Sequence, residues 1–244
     1  NSLEPIIDFT ALHIIGLTVV AFCAGFVSSI AGAGGMIVLP FLLWAGVPPI
    51  NALATNKFQS VFGTLSSAIN FFRRGELKLK PLIPAILCSF VGACIGTTAV
   101  QYLPLDLLET ILPYLLILLA FYFSVSPRIS DQDSSPRISP GRFNVLIGGG
   151  VGFYGGFFGP GMGSFFAIAF AALLGFNMRK ATASTKPLVL VTNTTAMLIF
   201  LWGGYIVWEL ALIMAFAQAV GAYFGSHMVI SRGTVLIKPM LIIC

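Results

Sequence analysis

The sequence predicts an all-α polytopic membrane protein, built from two inverted-topology repeats with glycine-broken helices and about 8–10 membrane segments. Of its 244 residues, 57% are hydrophobic and only 9% are charged, whereas soluble domains carry about 25% charged residues. Apolar runs separated by short polar breaks fill nearly the whole chain, and a spanning helix needs ~20 such residues. The chain also matches itself at a spacing of about 129 residues, with a two-residue adjustment where Gly25–Gly35 falls on Gly152–Met162, which indicates a duplicated membrane unit.

The first half begins with an apolar segment over residues 11–30, which leads into the glycine-rich break AGAGG at Ala31–Gly35. The segment is too long for the apolar region of a signal peptide and follows acidic residues, so we expect a membrane helix that is retained. A short apolar segment, Met36–Ala45, follows the break. Next come a segment that contains Lys57, the basic loop Arg73–Lys80, and two spans at Pro81–Gln101 and Leu107–Val125.

The second half repeats this order after the polar linker Ser126–Arg142. Its break, FGPGMG at Phe158–Gly163, precedes a short segment at Ser164–Leu174 and a longer one that contains Lys186. The apolar run after Lys238 predicts a further span that is cut short at Cys244. We therefore assign residues 1–125 to the first membrane repeat, 126–142 to a cytoplasmic linker and 143–244 to the second membrane repeat.

The charges of the loops predict that the second repeat is inverted. Cytoplasmic loops are enriched in Lys and Arg, so Arg73–Lys80 and the linker are both predicted to be cytoplasmic. The connection Tyr102–Asp106, which lies between them, has no basic residue and is predicted to be outside. In the second half, Gly203–Glu209 matches the basic loop but contains no Lys or Arg. This reversal of loop charge between matched loops is typical of an inverted repeat.

Composition and spacing argue against several other classes of function. The net charge of +5 is scattered through short loops without a basic face, so we expect no nucleic-acid partner. The cysteines lack the spacing of a metal site or a disulfide framework, and we interpret them as packing residues: Cys23, Cys88, Cys94 and Cys244. No nucleophile-plus-base arrangement is present. We therefore predict no enzyme activity, no catalytic residues, no metal and no cofactor.

The two glycine-rich breaks predict the position of a substrate site. Non-helical backbone survives at membrane depth only where it is buried in protein or lines a watery cavity. Interrupted segments at matched positions of two repeats mark the substrate site in many transporters. Freed backbone N–H groups and the start of the next short helix favour an anion there. The candidate glycines are Gly32, Gly34, Gly35, Gly159 and Gly161.

Lys57 and Lys186 occupy matched positions just inside apolar segments. A lysine at the centre of a membrane helix costs ~2.5–3.5 kcal/mol on insertion scales, and every acidic residue lies near a span end or in a loop. One interpretation is that both lysines snorkel to the surface. The other is that they face a central cavity and hold an anion. Inversion would make Lys57 snorkel to the non-cytoplasmic side, which favours the anion site. Neighbouring polar residues complete that predicted site: Thr55, Asn56, Ser184 and Thr185.

Four stretches of this chain resemble the TauE/SafE family of sulfite exporters, also called the 4-toluene sulfonate uptake permease family. They are GFVSSIAGAGGMIVLP, NALATNK, GFYGGFFGPGMGSF and GAYFGSHMV, and the resemblance covers almost the whole chain. It implies a permease of the bacterial inner membrane, and some members are associated with sulfite, sulfonates or sulfoacetate. By motif, the implied pathway residues are Gly32, Gly34, Gly35, Lys57, Gly159, Gly161 and Lys186. Thr185 stands where the first repeat has Asn56, so we expect only pseudo-symmetry.

The function predicted from these observations is secondary transport of small sulfur-containing anions across the bilayer. The alternative is a channel or carrier for another inorganic ion, including a cation or metal. A cation path normally carries acidic or carbonyl rings, so the paired lysines disfavour the alternative. Both H⁺ and Na⁺ stay open as coupling ions, and the anion, the direction and the oligomeric state are left open too. Further candidates for pathway or packing roles are Gln59, Thr64, Asn70 and Thr192–Thr195.

Overall fold

The computed structural model of the protein describes residues 11–125 and 132–232. Within these ranges the chain forms helices and no strands, which confirms the predicted all-α class. The first half contains α1 (Ala11–Ala31), α2 (Gly34–Trp44), α3 (Pro49–Arg73), α4 (Ile83–Gln101) and α5 (Leu105–Val125). Predictions that concern residues 1–10, 126–131 and 233–244, including the apolar run after Lys238, lie outside the described residues.

The second half follows the same order of long, short and long helical segments, and its first segment consists of several consecutive helices. It contains α6 (Pro140–Phe143), α7 (Gly150–Phe157), α8 (Met162–Leu174), α9 (Met178–Trp202) and α10 (Trp208–Arg232). A π-helical stretch, Asn144–Gly149, joins α6 to α7. The short helices α2 and α8 agree with the two short apolar segments predicted after the glycine-rich breaks.

Four helices of the described part are long and apolar enough to cross a membrane: Ala11–Ala31, Lys80–Gln101, Met178–Trp202 and Trp208–Ser231. The helices α2 and α8 are apolar but shorter. The helix α3 is as long as α9, but its polar residues lower its hydropathy. It packs against α1, α9 and α10, which separate its polar side chains from lipid. The total of about 8–10 segments stays a prediction.

The predicted repeat is visible in the backbone conformation of its glycines. A positive φ is a conformation that favours glycine, and it recurs at matched positions of the two halves. The matched pairs are Gly32 (φ 79°) with Gly159 (φ 100°), Gly46 (84°) with Gly175 (72°), and Gly75 (74°) with Gly204 (72°). The chain therefore turns in the same way at three matched places.

Helices of one repeat pack against helices of the other in a reciprocal pattern. Helix α10 packs on α1, and its counterpart α4 packs on α7. A Cβ at Gly221 would lie 3.1 Å from the Phe26 nitrogen, and one at Gly92 would lie 2.7 Å from the Phe153 nitrogen. The two GxxxG pairs therefore serve close helix packing, as small residues do at membrane helix interfaces.

The contacts also set the directions of the matched helices α3 and α9. Lys57 contacts Asn193, with 3.5 Å between Nζ and Oδ1, whereas Lys186 Nζ lies 5.9 Å from the centroid of the Phe71 ring. An early residue of each helix thus meets a later residue of the other, so the two helices run antiparallel. Opposite directions of matched helices support the predicted inversion of the repeats.

Candidate functional site

The two glycine-rich breaks meet at the interface between the repeats. A Cβ on Gly32 would lie 2.6 Å from the Gly163 Cα, and one on Gly35 would lie 3.3 Å from the Pro160 Cα. The backbones of the breaks are thus in direct contact, and a larger side chain at Gly32 would force them apart. The breaks face each other as predicted, and their depth in the bilayer stays a prediction.

Helix α2 runs antiparallel to α1 after the first break and packs beside it. A Cβ on Gly34 would lie 2.7 Å from the Ser28 Cβ near the end of α1. At the other end of the pair, the rings of His13 and Trp44 are 5.9 Å apart. The break is therefore the tip of an antiparallel helix pair, which carries non-helical backbone into the protein interior.

Lys57 is only 1% exposed, and its ammonium is bound to the second repeat. Nζ donates to the carbonyl oxygen of Gly155, in the last turn of α7. Carbonyls of the last turn have no partner within their helix, and the negative end of the helix dipole favours a cation. A Cβ on Gly159 would overlap the Lys57 ammonium, so a side chain at this position would displace the ammonium.

Lys186 makes the matched contact in the other direction. It is 3% exposed, and its Nζ donates to the Ser28 carbonyl oxygen at 3.0 Å. Ser28 lies in the last turn of α1 and aligns with Gly155 in the repeat. Each lysine therefore caps the broken helix of the other repeat. Because both are buried, the snorkelling interpretation does not hold.

The two lysines lie at different levels of the bundle. Lys57 is opposite Asn193, which is seven residues beyond Lys186 on α9, or about 10 Å along the helix. Lys186 instead approaches Phe71, which lies two residues before the end of α3. The structure thus brings each lysine to one break and does not place the two ammonium groups side by side.

Asn56 and Thr185, which differ between the repeats, also differ in their contacts. The Asn56 Oδ1 accepts a hydrogen bond from Gln59 Nε2 at 3.4 Å, and its Nδ2 would be 3.1 Å from a Cβ on Gly35. Thr185 donates to the Thr182 carbonyl oxygen within its own helix, at 2.8 Å. The predicted pseudo-symmetry is therefore present at these two positions, where only Asn56 reaches towards a break.

One end of the bundle is closed by hydrogen bonds from α3 to the loop before α10. The Thr55 Oγ1 accepts from the Val207 N–H at 3.1 Å. Asn51 Nδ2 donates to the Tyr205 carbonyl oxygen at 3.0 Å. Thr55 is completely buried. We call this the closed end.

The opposite end contains a cavity of about 530 Å³. Residues of the loop 73–80 and of the linker both line it, for example Gly75 and Pro136, so the two segments lie at the same end, as predicted. We call this the open end. Its charged and polar lining residues include Glu76, Lys78, Asn144, Asn177, Arg179, Lys180 and Ser184.

The two ends differ at matched positions of the repeat. Four residues make the hydrogen bonds of the closed end, and all four counterparts line the cavity of the open end. The pairs are Asn51 with Lys180, Thr55 with Ser184, Tyr205 with Glu76, and Val207 with Lys78. The same structural unit is therefore closed at one end and open at the other.

Sequence reasoning missed the partners that hold the breaks. Ser164 donates to the Ala31 carbonyl oxygen, and the Tyr154 hydroxyl donates to the Pro160 carbonyl oxygen at 2.5 Å. Backbone carbonyls have no sequence signature, so these contacts could not be predicted from residue types. The alignment of Ser28 with Gly155 was the one available signal for the lysine contacts.

Comparisons with known proteins agree with the resemblance found in the sequence. A family model described as "Sulfite exporter TauE/SafE" matches residues 17–244. A probable membrane transporter protein, ORF9 of Sinorhizobium sp., is 44% identical over 234 residues, 96% of this chain and 90% of the relative. The probable membrane transporter protein YfcA of Escherichia coli K12 is 44% identical over 224 residues, 92% of this chain and 83% of the relative. A probable membrane transporter protein of Haemophilus influenzae is 38% identical over 233 residues, 94% and 91% of the two chains. No solved structure matches the chain.

Proposed function

Because the chain belongs to the sulfite exporter TauE/SafE family and is a membrane transporter, we propose that it is a secondary transporter of small sulfur-containing anions in the bacterial inner membrane. Sulfite, sulfonates and sulfoacetate are the candidate substrates. The observation that carries the proposal is the basic cavity at the open end, which leads towards Lys186.

The charge of the cavity favours an anion. Lys78, Arg179 and Lys180 line it, and the acidic residue among its described lining, Glu76, pairs with Arg179. A concave site with low-dielectric walls and an excess of one charge raises the local concentration of the opposite ion. Its volume of about 530 Å³ lies within the range of about 300–1,000 Å³ for small-molecule sites.

We infer that the anion passes from the cavity to the first break. Ser184 lines the cavity, and Lys186 follows two residues later on α9 with its ammonium on the Ser28 carbonyl. The ammonium attracts the full negative charge of an anion more strongly than the partial charge of a carbonyl oxygen. An entering anion would therefore replace the Ser28 carbonyl as the acceptor of the ammonium. This exchange couples anion binding to the contact between the repeats.

The closed and open ends support transport by alternating access. In an inverted repeat, the contacts that close one end can form at matched positions of the other end. Closing the open end would bring Ser184 against the backbone at Lys78, and opening the closed end would separate Thr55 from Val207. A ligand that binds one of two such states better than the other shifts their populations.

A cation or metal carrier is the alternative function. Such a path is normally lined by carboxylates or by rings of carbonyl groups. The charges at the open end favour an anion instead, because the Glu76 carboxylate is bound to Arg179.

Flux into proteoliposomes that contain the purified protein tests the proposal. We expect saturable uptake of radiolabelled sulfite, thiosulfate, sulfoacetate or an aromatic sulfonate, with competition among them. The double variant Lys78→Gln, Lys180→Gln should raise KM, since the local anion concentration falls. Lys80→Gln is the matched control, because Lys80 is in the same loop but does not line the cavity. Protein-dependent flux of a cation without any sulfur anion would refute the proposal.

A further inference from the structure

We propose that Gln59 on α3 and Gln218 on α10 form a binding site for a monovalent cation, with Na⁺ as the ion to test. The binding of the cation does not depend on the proposed transport function. Its role as the ion that couples to anion movement rests on the transport function proposed above.

Both glutamine side chains present unpartnered oxygens inside the protein. Gln59 is 0% exposed and Gln218 is 1% exposed. The Oε1 atom of each is buried and has no hydrogen-bond partner among the described residues. Buried polar atoms are satisfied in the great majority of cases, and an unsatisfied one costs free energy. Two such oxygens in one helix pair indicate a missing ligand.

One stripe of α3 faces α10 and sets the register of the two helices. Ser66 Oγ donates to the Ala219 carbonyl oxygen at 2.9 Å. One turn later, Asn70 Nδ2 donates to Ser226 Oγ at 2.8 Å. The later residue of α3 contacts the later residue of α10, so the two helices run parallel.

The two glutamines lie on this interface at neighbouring levels. A Cβ on Gly63 would be 2.8 Å from the Gln218 Cγ, so the side chain of Gln218 packs directly on the α3 backbone. Gln59 precedes Gly63 by one turn on the same face. Side chains of a helix lean towards its N-terminus, so the amide of Gln218 leans towards the level of Gln59.

The fold does not require these two amides. In the second repeat, Leu188 matches Gln59, and Ser89 matches Gln218. Ser89 is satisfied, because its Oγ donates to the Gly148 carbonyl oxygen at 3.0 Å. The matched helix pair α9 and α4 therefore packs with one apolar residue and one bonded hydroxyl, so a ligand explains the amides better than packing does.

The chemistry of the two oxygens selects a monovalent cation. Carbonyl oxygens are hard, neutral ligands, and transporters bind Na⁺ through such groups. Divalent Ca²⁺ and Mg²⁺ sites contain carboxylates, and none of the buried polar residues of the described part is acidic. A single positive charge also compensates the charge of a transported anion.

The glutamine pair is connected to the anion path. Gln59 Nε2 donates to Asn56 Oδ1 at 3.4 Å, and Asn56 precedes Lys57. A cation on the Gln59 oxygen would orient this amide and, through it, Asn56 beside the first break. Cation and anion binding would then favour each other, as linkage requires.

Na⁺ binding to the purified full chain in detergent tests the site without any transport assay. The thermal midpoint is measured with NaCl against N-methyl-D-glucamine chloride at equal ionic strength, and ²²Na⁺ binding is measured directly. We expect a saturable rise of the midpoint with Na⁺ in the wild type. Gln59→Leu, which introduces the residue of the second repeat, and Gln218→Met should abolish the rise and the ²²Na⁺ binding.

The matched control is Gln101→Leu at the end of α4, where the amide donates to the Thr97 carbonyl oxygen, and it should keep both signals. The wild-type titration and Gln218→Met decide the question if Gln59→Leu does not fold. No Na⁺-specific signal in the wild type, or a signal retained in both site variants, would overturn the proposal. If the protein binds Na⁺ but transports no sulfur anion, the cation site is upheld and the anion function is refuted. Failure of the site and failure of the proposed function are therefore distinguishable.

Discussion

At the scale of single residues, Lys57 and Lys186 show how a buried charge is tolerated without a carboxylate. Each ammonium donates to a backbone carbonyl oxygen in the last turn of a helix from the other repeat, the Gly155 oxygen for Lys57 and the Ser28 oxygen for Lys186. The helix dipole adds to this compensation. In the proposed function, an anion would displace the carbonyl at this contact.

The first prediction concerns Lys57→Met and Lys186→Met. Each variant should remain folded, because it removes a buried charge together with its desolvation cost. Transport should fall about tenfold or more, since a hydrogen bond to a charged group contributes about 1.5–3 kcal/mol and ~1.4 kcal/mol corresponds to tenfold. Size-exclusion profile, thermal midpoint and anion flux are measured on the same preparations.

Lys80→Met is the control for this pair, because Lys80 is exposed at the open end. Lys57→Arg and Lys186→Arg need not rescue transport, since a planar guanidinium group does not replace a compact ammonium. If the Met variants lost stability and kept a normal rate per folded molecule, the lysines would serve only as caps.

The second prediction compares Gly159→Ala with Gly204→Ala. Both glycines have positive φ, 100° and 72°, so an alanine is strained at either site by about 1–2 kcal/mol. Only at Gly159 does the new Cβ collide with the Lys57 ammonium, whereas a Cβ at Gly204 meets nothing within 4 Å. Gly159→Ala should therefore lower the thermal midpoint more and reduce flux, and equal effects would show that the Lys57 contact is unimportant.

At the scale of helices and loops, the difference between the two ends follows from which side chains contact which loop. At the closed end, Asn51 and Thr55 of α3 hold the loop that contains Tyr205 and Val207. At the open end, the matched residues of α9 and the loop 73–80 line the cavity, and the loop contacts α9 through the ion pair of Glu76 with Arg179. In the proposed alternating-access mechanism, one loop would move relative to one helix at each end.

The third prediction is that fixing the closed end stops transport. In a chain whose native cysteines are replaced, the pair Asn51→Cys, Tyr205→Cys should form a cross-link with a short bifunctional thiol reagent. Flux should then fall to background, and cleavage of the linker should restore it. The matched pair Lys180→Cys, Glu76→Cys should cross-link only in the state whose cavity is closed. Undiminished flux with Asn51 and Tyr205 fully cross-linked would contradict this mechanism.

At the scale of the whole molecule, the open and closed ends differ in composition. The basic loop 73–80 and the described part of the linker line the cavity at the open end. Exposed aromatic residues lie near the closed end, including Trp44, Tyr102 and Trp202. Aromatic residues concentrate at membrane interfaces, and basic loops concentrate in the cytoplasm. The open end is therefore predicted to face the cytoplasm.

The fourth prediction tests this orientation together with the inversion of the repeats. Single cysteines at Lys78 and Ser135 should react with an impermeant maleimide only in inside-out vesicles. A cysteine at Trp202, which is 95% exposed, should react only in intact spheroplasts. Labelling of Lys78→Cys and Ser135→Cys from opposite faces would refute the topology.

The sequence by itself determined the helical class, the positions of the two breaks and the duplication. Hydropathy and glycine content are local properties, so AGAGG and FGPGMG were predicted to interrupt helices, and α1 and α7 end at them. The duplication was readable because matched glycines adopt the same turns in both halves. The cost of a charge in an apolar segment also predicts a role for Lys57 and Lys186, and that role stays a prediction.

Only the tertiary structure decided what these residues contact. The partners of Lys57 and Lys186 are backbone carbonyls about 100 residues or more away in the chain, and every residue type carries such a carbonyl. The directions in which packed helices run decide three features. They are the level of each lysine, the closed and open ends, and the unpartnered oxygens of Gln59 and Gln218. A one-dimensional pattern does not contain those directions, because they are set by which helix faces pack together across the repeat interface.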